Sequence, residues 1–260
     1  MRPKGEVTLV IPSYNAGDEI ERTLGRLRAF FEQQPYGHEL IVVNDGSCDR
    51  TQAALTTISS AYPELRVLVN GRNMGKGYSV KRGMLEATGR FIFYLDADLA
   101  YPIEGMESLL KPLREGTHEV AIGSRIHPGS LFHIHPRHFR YVYQRHLMSR
   151  IFNWTVRRAL AIRAMDTQCG FKGFAAEAAK AIFSRVGIAG FAFDVEVLLI
   201  AQRLGLQVIE VPVTYMYNGG VSTVKILENG CQALRDLAKV YRWDQRGKYL
   251  SSRQGFSQRA

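Results

Sequence analysis

Short apolar runs alternate with longer segments of helical periodicity over the first 125 residues of the chain. The apolar runs are almost unbroken, as in strands that are covered on both faces. They are residues 7–11, 40–43, 66–69, 91–95 and 120–122. Between them, apolar residues recur every three or four positions, as at Ile20, Leu24, Leu27 and Phe31. This alternation predicts an α/β fold with a Rossmann-like, mostly parallel sheet flanked by helices.

The pattern changes after residue 125, where a long basic stretch precedes a Gly-rich segment at 169–174. An apolar helix at 194–204 and a strand at 208–213 follow. No internal repeat and no Pro- or Ser-rich linker interrupts the chain. We therefore predict a single domain over residues 1–241, followed by a basic, flexible C-terminal tail at 242–260.

Composition narrows the class of protein. With 260 residues, 46% hydrophobic and 22% charged, the chain is expected to fold rather than remain disordered. Its three cysteines, Cys48, Cys169 and Cys231, lack a CxxC spacing, which argues against a disulfide framework or a structural zinc site. No apolar run approaches the roughly 18 residues of a membrane span, and none resembles a secretory signal. These features predict a cytoplasmic protein.

Polar residues follow each predicted strand, where parallel sheets bind their ligands. After the fourth strand, Asp96–Ala97–Asp98 places two carboxylates on one side if the segment stays extended, which suits Mg²⁺ or Mn²⁺ bound to phosphate oxygens. The alternative is a turn residue and a helix cap. Asp45 and Ser47 suit a base or ribose, although Asp-Gly is also a common turn signal. The Lys76 loop is not a Walker A motif, and no strand precedes a GxGxxG motif, which weighs against nucleotide hydrolases and dinucleotide-dependent oxidoreductases.

These strand ends, together with later motifs, resemble the family 2 glycosyltransferases of the GT-A fold. Within that family the chain is most similar to the polyprenyl-phosphate (dolichyl-phosphate) glycosyltransferases. The residues in its motifs are more similar to those of the glucosyltransferases than to those of the mannosyltransferases. The resemblance covers roughly residues 5–225. The motifs that carry it are residues 10–15, 44–49, 73–77, 96–98, 123–125, 166–172, 193–196 and 210–213.

The resemblance implies a nucleotide-diphosphate sugar as donor, with UDP-glucose favoured and GDP-mannose second. It implies Mg²⁺ or Mn²⁺ held by Asp96 and Asp98, with Asp98 among the catalytic residues. The donor-binding residues would be Pro12, Tyr14, Asn15, Asp45, Ser47, Lys76 and Asp96.

Three features depart from the family pattern. Ala100 stands where related mannosyltransferases carry a Gln near the metal. The family's Gly-Ser-Lys element is matched only loosely at 220–225, where Lys225 is a candidate phosphate ligand. Several family members also have C-terminal membrane helices, for which this chain shows no counterpart.

Most of the net charge of +10 comes from one window without any Asp or Glu, residues 120–165. It holds eight arginines: 125, 137, 140, 145, 150, 157, 158 and 163. Absence of acids predicts an anionic partner. The window also carries an apolar stripe at helical spacing, formed by Phe139, Tyr143, Leu147, Ile151 and Trp154. The stripe fits either the protein core or an amphipathic helix on an anionic membrane surface.

Arginines of this window are candidates for gripping an acceptor phosphate, because a guanidinium binds phosphate in a bidentate manner. We expect Arg125 and Arg145 to do so and to be catalytic, with Ser149 and Lys172 as further acceptor-phosphate ligands. Asp194 begins an apolar helix, where it either caps the helix or joins the site. The histidines at 133, 135 and 138 are expected at the surface or an interface and not at a zinc ion.

The predicted reaction is inverting transfer of a hexose to a polyprenyl or dolichyl phosphate by an enzyme bound peripherally at the cytoplasmic membrane face. A phosphate monoester has a second pKa of about 6, so it needs no general base. One alternative is a family 2 enzyme with a soluble or polysaccharide acceptor, whose basic stretch could serve a homo-oligomer. The other is a non-catalytic nucleic-acid-binding module, which the strand-end carboxylates disfavour because they would repel phosphates.

Overall fold

The computed structural model describes residues 5–217 and 226–250, without the side chains of Asp18, Tyr141, Arg145, His146, Met148 and residues 226–231. Its strands are β1 Val7–Ser13, β2 His38–Asn44, β3 Leu65–Val69, β4 Phe91–Tyr94, β5 Val120–Ser124, β6 Leu131–Ile134, β7 Lys172–Ala175, β8 Val208–Pro212 and β9 Thr214–Tyr217. Its helices are α1 Gly17–Phe31, α2 Thr51–Ala61, α3 Lys76–Glu86, α4 Met106–Arg114, α5 Phe139–Leu160, α6 Ala176–Phe183, α7 Phe193–Arg203 and α8 Ile226–Gln245, with short 3-10 turns at Ile103–Gly105 and Pro136–His138.

Seven strands form one sheet in the order β3-β2-β1-β4-β7-β5-β8, and β6 pairs with β9 in a separate parallel ribbon. The six runs predicted as strands all lie within strands of the large sheet, apart from residues at their ends. The α/β prediction is confirmed. Every strand pair in this sheet is parallel except those of β7.

Strand β7 lies antiparallel between β4 and β5, and its glycine explains how it fits there. Gly173 pairs with Phe93, and a Cβ at this position would overlap the Phe93 ring. Because β7 runs in the opposite direction, its first residue, Lys172, pairs with Tyr94 at the edge where the parallel strands end. The reversal therefore brings a motif from the second half of the chain to the predicted ligand edge.

The sheet is covered on both faces, which is why its strands are apolar without interruption. One core joins the sheet to α3, α6 and α7 through residues such as Val80, Ile182 and Leu198. The other joins it to α1, α2 and α4 through residues such as Leu24 and Leu55. The helical periodicity in the sequence corresponds to these buried faces.

The C-terminal part of the domain extends beyond the predicted boundary at residue 241. Helix α8 continues to Gln245, and the side chain of Tyr249 is fully buried. The Tyr249 hydroxyl donates a hydrogen bond to Glu196 at 2.8 Å. The prediction that the flexible tail begins at 242 is therefore wrong, because burial of this ring attaches residues up to 249 to the core; residues 251–260 lie outside the described part.

Candidate functional site

A cleft of about 470 Å³ opens at the carboxyl edge of the sheet. Its charged lining residues come from the strand ends and helix starts: Lys76, Asp96, Arg125 and Asp194. Its apolar and aromatic lining residues are Phe132, Ile134, Phe139, Val142, Tyr143, Phe191 and Tyr215. Ser149 and Gln168 complete the lining. The cleft thus joins strand ends from the first half of the chain to α5 and the β6–β9 ribbon from the second half.

The carboxylate pair after β4 lies in a turn and not in an extended segment. Strand β4 ends at Tyr94, and the amide of Leu99 donates to the Asp96 carbonyl at 3.1 Å. Leu99 has a φ of 44°, in the left-handed region. The predicted extended geometry is therefore wrong, since the chain reverses here to enter the next helix.

The Asp98 carboxylate accepts a hydrogen bond from the amide of Ala100 at 3.0 Å, as a turn residue does. Partial loss of surrounding water and the negative charge of Asp96 raise the pKa of the Asp98 carboxyl above its usual value. Two neighbouring carboxylates of like charge favour a bound cation. The turn role and a metal-binding role are compatible at this position.

The Lys76 ammonium lies 2.6 Å from the Asp96 carboxylate, at the start of α3. Burial lowers the pKa of Lys76, but the negative charges of Asp96, Asp194 and Asp98 outweigh it and raise the pKa above its usual value. The ammonium also lies 5.8 Å from the centre of the Phe193 ring. The predicted donor-side lysine is thus a charged group on the cleft wall.

The loop that carries Lys76 is shaped by Asp45. This carboxylate is buried and accepts hydrogen bonds from the amides of Met74 and Gly75, at 2.9 and 2.8 Å, and from the Asn70 side chain at 2.6 Å. Gly75 has a φ of 98°, a conformation that favours glycine. Asp45 therefore sets the conformation of the loop, and its direct contact with a base or ribose stays a prediction.

The remaining donor-side candidates lie at the ends of β1 and β2. Asn15 and Ser47 bind each other through the Asn15 amide and the Ser47 hydroxyl at 2.9 Å. Tyr14 has 41% of its surface exposed, and Pro12 is half-buried beside it. None of these four residues lines the 470 Å³ cleft, so their contact with a nucleotide stays a prediction.

Arg125 forms a bidentate ion pair with Asp166, with Nε and Nη2 each 2.8 Å from a carboxylate oxygen. The Arg125 amide binds the same carboxylate at 2.9 Å. Burial by itself would raise the pKa of Asp166. The hydrogen bonds and the charge of Arg125 outweigh this effect and hold the pKa below its usual value. Arg125 still lines the cleft, so one edge of its guanidinium is held by protein while the residue borders the space for a ligand.

Lys172 does not face the cleft, and its prediction as an acceptor-phosphate ligand is wrong. Its side chain is fully buried, and its ammonium lies 2.5 Å from both the Asp194 carboxylate and the Cys169 carbonyl. The same Asp194 oxygen accepts a hydrogen bond from the Tyr94 hydroxyl. An ammonium so enclosed has no path to a phosphate in the cleft, and it neutralises Asp194 instead.

Asp194 belongs to the cleft lining, and the N-cap of α7 is Ala192, without a side-chain cap. Asp194 thus lies both in the first turn of α7 and at the cleft, and its direct role in the site stays a prediction. Glu196 is different: its carboxylate accepts hydrogen bonds from the amides of Gly187 and Ile188 and from Tyr249. Glu196 therefore ties the loop before α7 to the C-terminal segment.

The predicted stripe on α5 is exposed. The exposed fractions are 60% for Phe139, 59% for Tyr143, 48% for Leu147, 54% for Ile151 and 62% for Trp154. The core alternative is excluded for this stripe, which we call the α5 stripe. Phe139 and Tyr143 also line the cleft, so the stripe is continuous with the cleft's apolar lining.

Ser149 lines the cleft from α5, whereas Asn153 one turn later is buried and binds Thr167 through its side-chain oxygen at 2.7 Å. The Ser149 hydroxyl lies 3.3 Å from the Gln168 side chain. The side chain of Arg145 and the whole of Lys225 lie outside the described residues, so their predicted phosphate contacts are not located.

Sequence reasoning missed Asp166 as the partner of Arg125. Its position was a usable signal, because Asp166 is the first acid after the 46-residue acid-free window. Gly170 was also missed: a Cβ there would overlap the Asp96 carboxylate, so glycine leaves room for Asp96 in its observed position. The cleft lining from β6 and β9 had no local signal, since it depends on how the ribbon packs.

Asp96 and Asp98 fit a divalent cation, because carboxylate oxygens are the ligands that Mg²⁺ and Mn²⁺ prefer. Asp96 already binds one cationic group, the Lys76 ammonium. Within residues 5–217 and 226–250, no three His, Cys, Asp or Glu side chains gather as a metal-binding group. A protein that supplies only two carboxylates suits Mg²⁺ or Mn²⁺ that shares its coordination with substrate phosphates.

The fold is of the GT-A class, and solved structures of glycosyltransferases share it. Glucosyl-3-phosphoglycerate synthase from Mycobacterium tuberculosis, solved with UDP, matches with a TM-score of 0.64 and 18% identity over 92% of this chain and 80% of that one. Mannosyltransferase PcManGT from Pyrobaculum calidifontis, solved with GDP-Man and Mn²⁺, matches with a TM-score of 0.58 and 19% identity over 93% and 65%.

The Glycosyl transferase family 2 model matches residues 8–183, and the chain belongs to that family. A dolichyl-phosphate beta-glucosyltransferase of Trichomonas vaginalis is 34% identical over 80% of this chain and 63% of its own length. The Drosophila melanogaster protein of the same name is 34% identical over 82% and 68%. The chain thus spans about two thirds of the length of these relatives.

Proposed function

We propose that the protein is an inverting glycosyltransferase that moves a hexose, with UDP-glucose favoured as donor and GDP-mannose second, to a polyprenyl or dolichyl phosphate. The observation that carries this proposal is the mixed lining of the cleft, which is charged at the strand ends and mostly apolar on α5 and the β6–β9 ribbon. A nucleotide sugar needs the charged residues. A lipid with a phosphate head needs both the charged and the apolar residues.

The named functions of the relatives support the same acceptor class. Two of the similar proteins are dolichyl-phosphate beta-glucosyltransferases, and the solved neighbours include complexes with UDP and with GDP-Man. Mn²⁺ is present in one of these neighbours, which supports a divalent ion at Asp96 and Asp98. Bound there, the ion would neutralise charge on the departing nucleoside diphosphate.

In the proposed reaction, a phosphate oxygen of the lipid attacks the anomeric carbon as the bond to the nucleoside diphosphate breaks, and the configuration inverts. Lys76 faces the diphosphate and Arg125 faces the acceptor phosphate, so the two cations hold reactants of like charge together. Asp194, neutralised by Lys172, bounds the cleft without adding a free negative charge. We assign no general base, because the acceptor phosphate is already ionised near neutral pH.

The transfer assay uses UDP-glucose labelled in the sugar, polyprenyl phosphate in detergent and Mn²⁺, with label counted in the organic phase. Replacement Asp98→Ala should lower transfer by about 10³-fold while the unfolding temperature stays near that of wild type. Glu104→Ala, an exposed acid in the next 3-10 turn, is the matched control and should retain activity. Label that stays in the aqueous phase on a soluble acceptor would favour the alternative family 2 function, and full activity of Asp98→Ala would contradict the metal assignment.

We also propose peripheral binding to the cytoplasmic face of an anionic membrane through the α5 stripe. Within residues 5–217 and 226–250, no helix has the length and hydropathy to cross a bilayer. The stripe presents Trp154 with the Arg158 guanidinium 5.9 Å from its ring centre, an aromatic and a cation side by side. Each such arginine near an anionic surface contributes about 1 kcal/mol to membrane binding.

Vesicle flotation measures this binding. The double variant Leu147→Glu/Trp154→Glu should lower the fraction bound to anionic vesicles at least about tenfold, because two apolar groups of the proposed membrane-binding surface are replaced by groups of the same charge as the lipid. Neither residue lines the cleft, so transfer to a water-soluble short-chain acceptor should persist. Leu85→Glu, at a residue 41% exposed on α3, controls for added charge. Equal vesicle binding by all three proteins would contradict the proposal.

A further inference from the structure

We propose that Lys76 acts as an internal counter-ion, which competes with a divalent cation for Asp96 and thereby couples binding of the cation to binding of the nucleotide diphosphate. This inference rests on the proposed function, because it assumes that both ligands bind at the charged residues of the cleft. Its first support is the ion pair itself, with the ammonium 2.6 Å from the Asp96 carboxylate.

The second support is that four backbone amides around Lys76 already donate to the protein. The amides of Met74 and Gly75 donate to Asp45. The amides of Gly77 and Tyr78 donate to the carbonyl of Ala189, at 2.7 and 3.3 Å. A helix N-terminus usually binds phosphate through such amides. Here those four amides are occupied, whereas the Lys76 side chain borders the cleft.

The third support is the pairing of the other charges in the lining. Arg125 is held by Asp166, and Asp194 is held by Lys172, so both belong to ion pairs with residues that are not proposed metal ligands. Lys76 alone among these paired charges has a proposed metal ligand as its partner. A cation at Asp96 therefore displaces the ammonium, and a nucleotide diphosphate is the anion that the displaced ammonium can bind.

Reciprocity gives this arrangement a measurable consequence. If the diphosphate engages Lys76, Asp96 becomes free for the cation, so each ligand raises the affinity for the other. In the absence of nucleotide the ammonium opposes the cation. Removing the ammonium should consequently strengthen binding of the cation and weaken binding of the nucleotide diphosphate. Loss of a lysine with a merely structural role would not change these two affinities in opposite directions.

The experiment measures Mn²⁺ binding by the free-ion EPR signal and UDP binding by calorimetry, in the full chain without acceptor. Lys76→Met should bind Mn²⁺ about tenfold more tightly than wild type when nucleotide is absent, and should bind UDP with Mn²⁺ about tenfold more weakly, as expected for loss of one charged hydrogen bond. Lys76→Gln should change both affinities in the same directions and guards against a folding defect of the first variant.

Lys81→Met is the matched control. Lys81 lies on the same helix, its ammonium donates to the Val186 carbonyl at 2.6 Å, and it does not line the cleft. It should leave both affinities within about twofold of wild type. Unchanged or weaker Mn²⁺ binding by Lys76→Met in the absence of nucleotide, or the same change in Lys81→Met, overturns the inference while leaving the proposed function in place. Failure of the wild-type protein to bind either UDP or GDP with Mn²⁺ overturns both.

Discussion

Two lysines at the same edge of the sheet differ in what they can reach. Lys76 begins α3 and Lys172 begins β7, and each ammonium forms an ion pair with an aspartate that lines the cleft. The Lys76 side chain is 17% exposed and borders the cleft, whereas the Lys172 side chain is fully enclosed. The difference teaches that pairing with a site carboxylate does not define a ligand-binding lysine; access to the cleft does.

The largest expected effect tests the enclosed lysine. Lys172→Met should lower the free energy of unfolding by about 3–5 kcal/mol, because Asp194 is then left as an uncompensated charge in the interior. Lys76→Met should cost much less, since its aspartate is partly exposed to water. Urea denaturation of both variants gives the comparison directly.

The double variant Lys172→Met/Asp194→Asn serves as the control for this pair. Removing both charges should recover most of the stability that Lys172→Met loses, because no uncompensated charge remains. If the two single lysine variants lose equal stability, the contrast drawn between the two lysines is wrong.

The next effect concerns Asp166, which neutralises Arg125 beside the cleft. Its pKa is lowered in the folded protein, so its contribution to stability is present above the usual aspartate pKa of about 4 and is lost as the pH falls through the lower folded value. Asp166→Asn should therefore be less stable than wild type by about 1.5–3 kcal/mol near neutral pH. The gap between the two unfolding curves should narrow below about pH 4. A gap that is constant with pH would mean that the ion pair is not its source.

The smallest effect tests whether residues beyond 241 belong to the domain. Tyr249→Phe keeps the buried ring but removes its hydrogen bond to Glu196, which should cost about 1 kcal/mol of stability. Tyr62→Phe is the matched control, since its hydroxyl binds His38 at 2.7 Å and it lies at the far end of α2. Thermal unfolding should show similar losses for both. If Tyr62→Phe loses stability and Tyr249→Phe does not, the domain ends at residue 241 as the sequence predicted.

Sequence patterns located most of the sheet and the charged residues of the cleft. The strand runs and the residues Lys76, Asp96 and Arg125 were predictable, because strand hydrophobicity is local and parallel strands end at one edge. The extended form of residues 96–98 was not, since the turn depends on Leu99 adopting a positive φ. The apolar lining from β6 and β9 was also beyond reach, because these two strands meet only in three dimensions.

The sequence by itself determined the α/β architecture, the family and the chemical groups at each strand end, since these depend on short-range periodicity and on motifs. Only the tertiary structure decided which charged groups face the cleft and which neutralise one another inside the protein. Arg125 and Asp166 are 41 positions apart, and Lys172 and Asp194 are 22 apart. Such pairs form because an enclosed charge requires a partner close in space, and the path of the whole chain determines that partner.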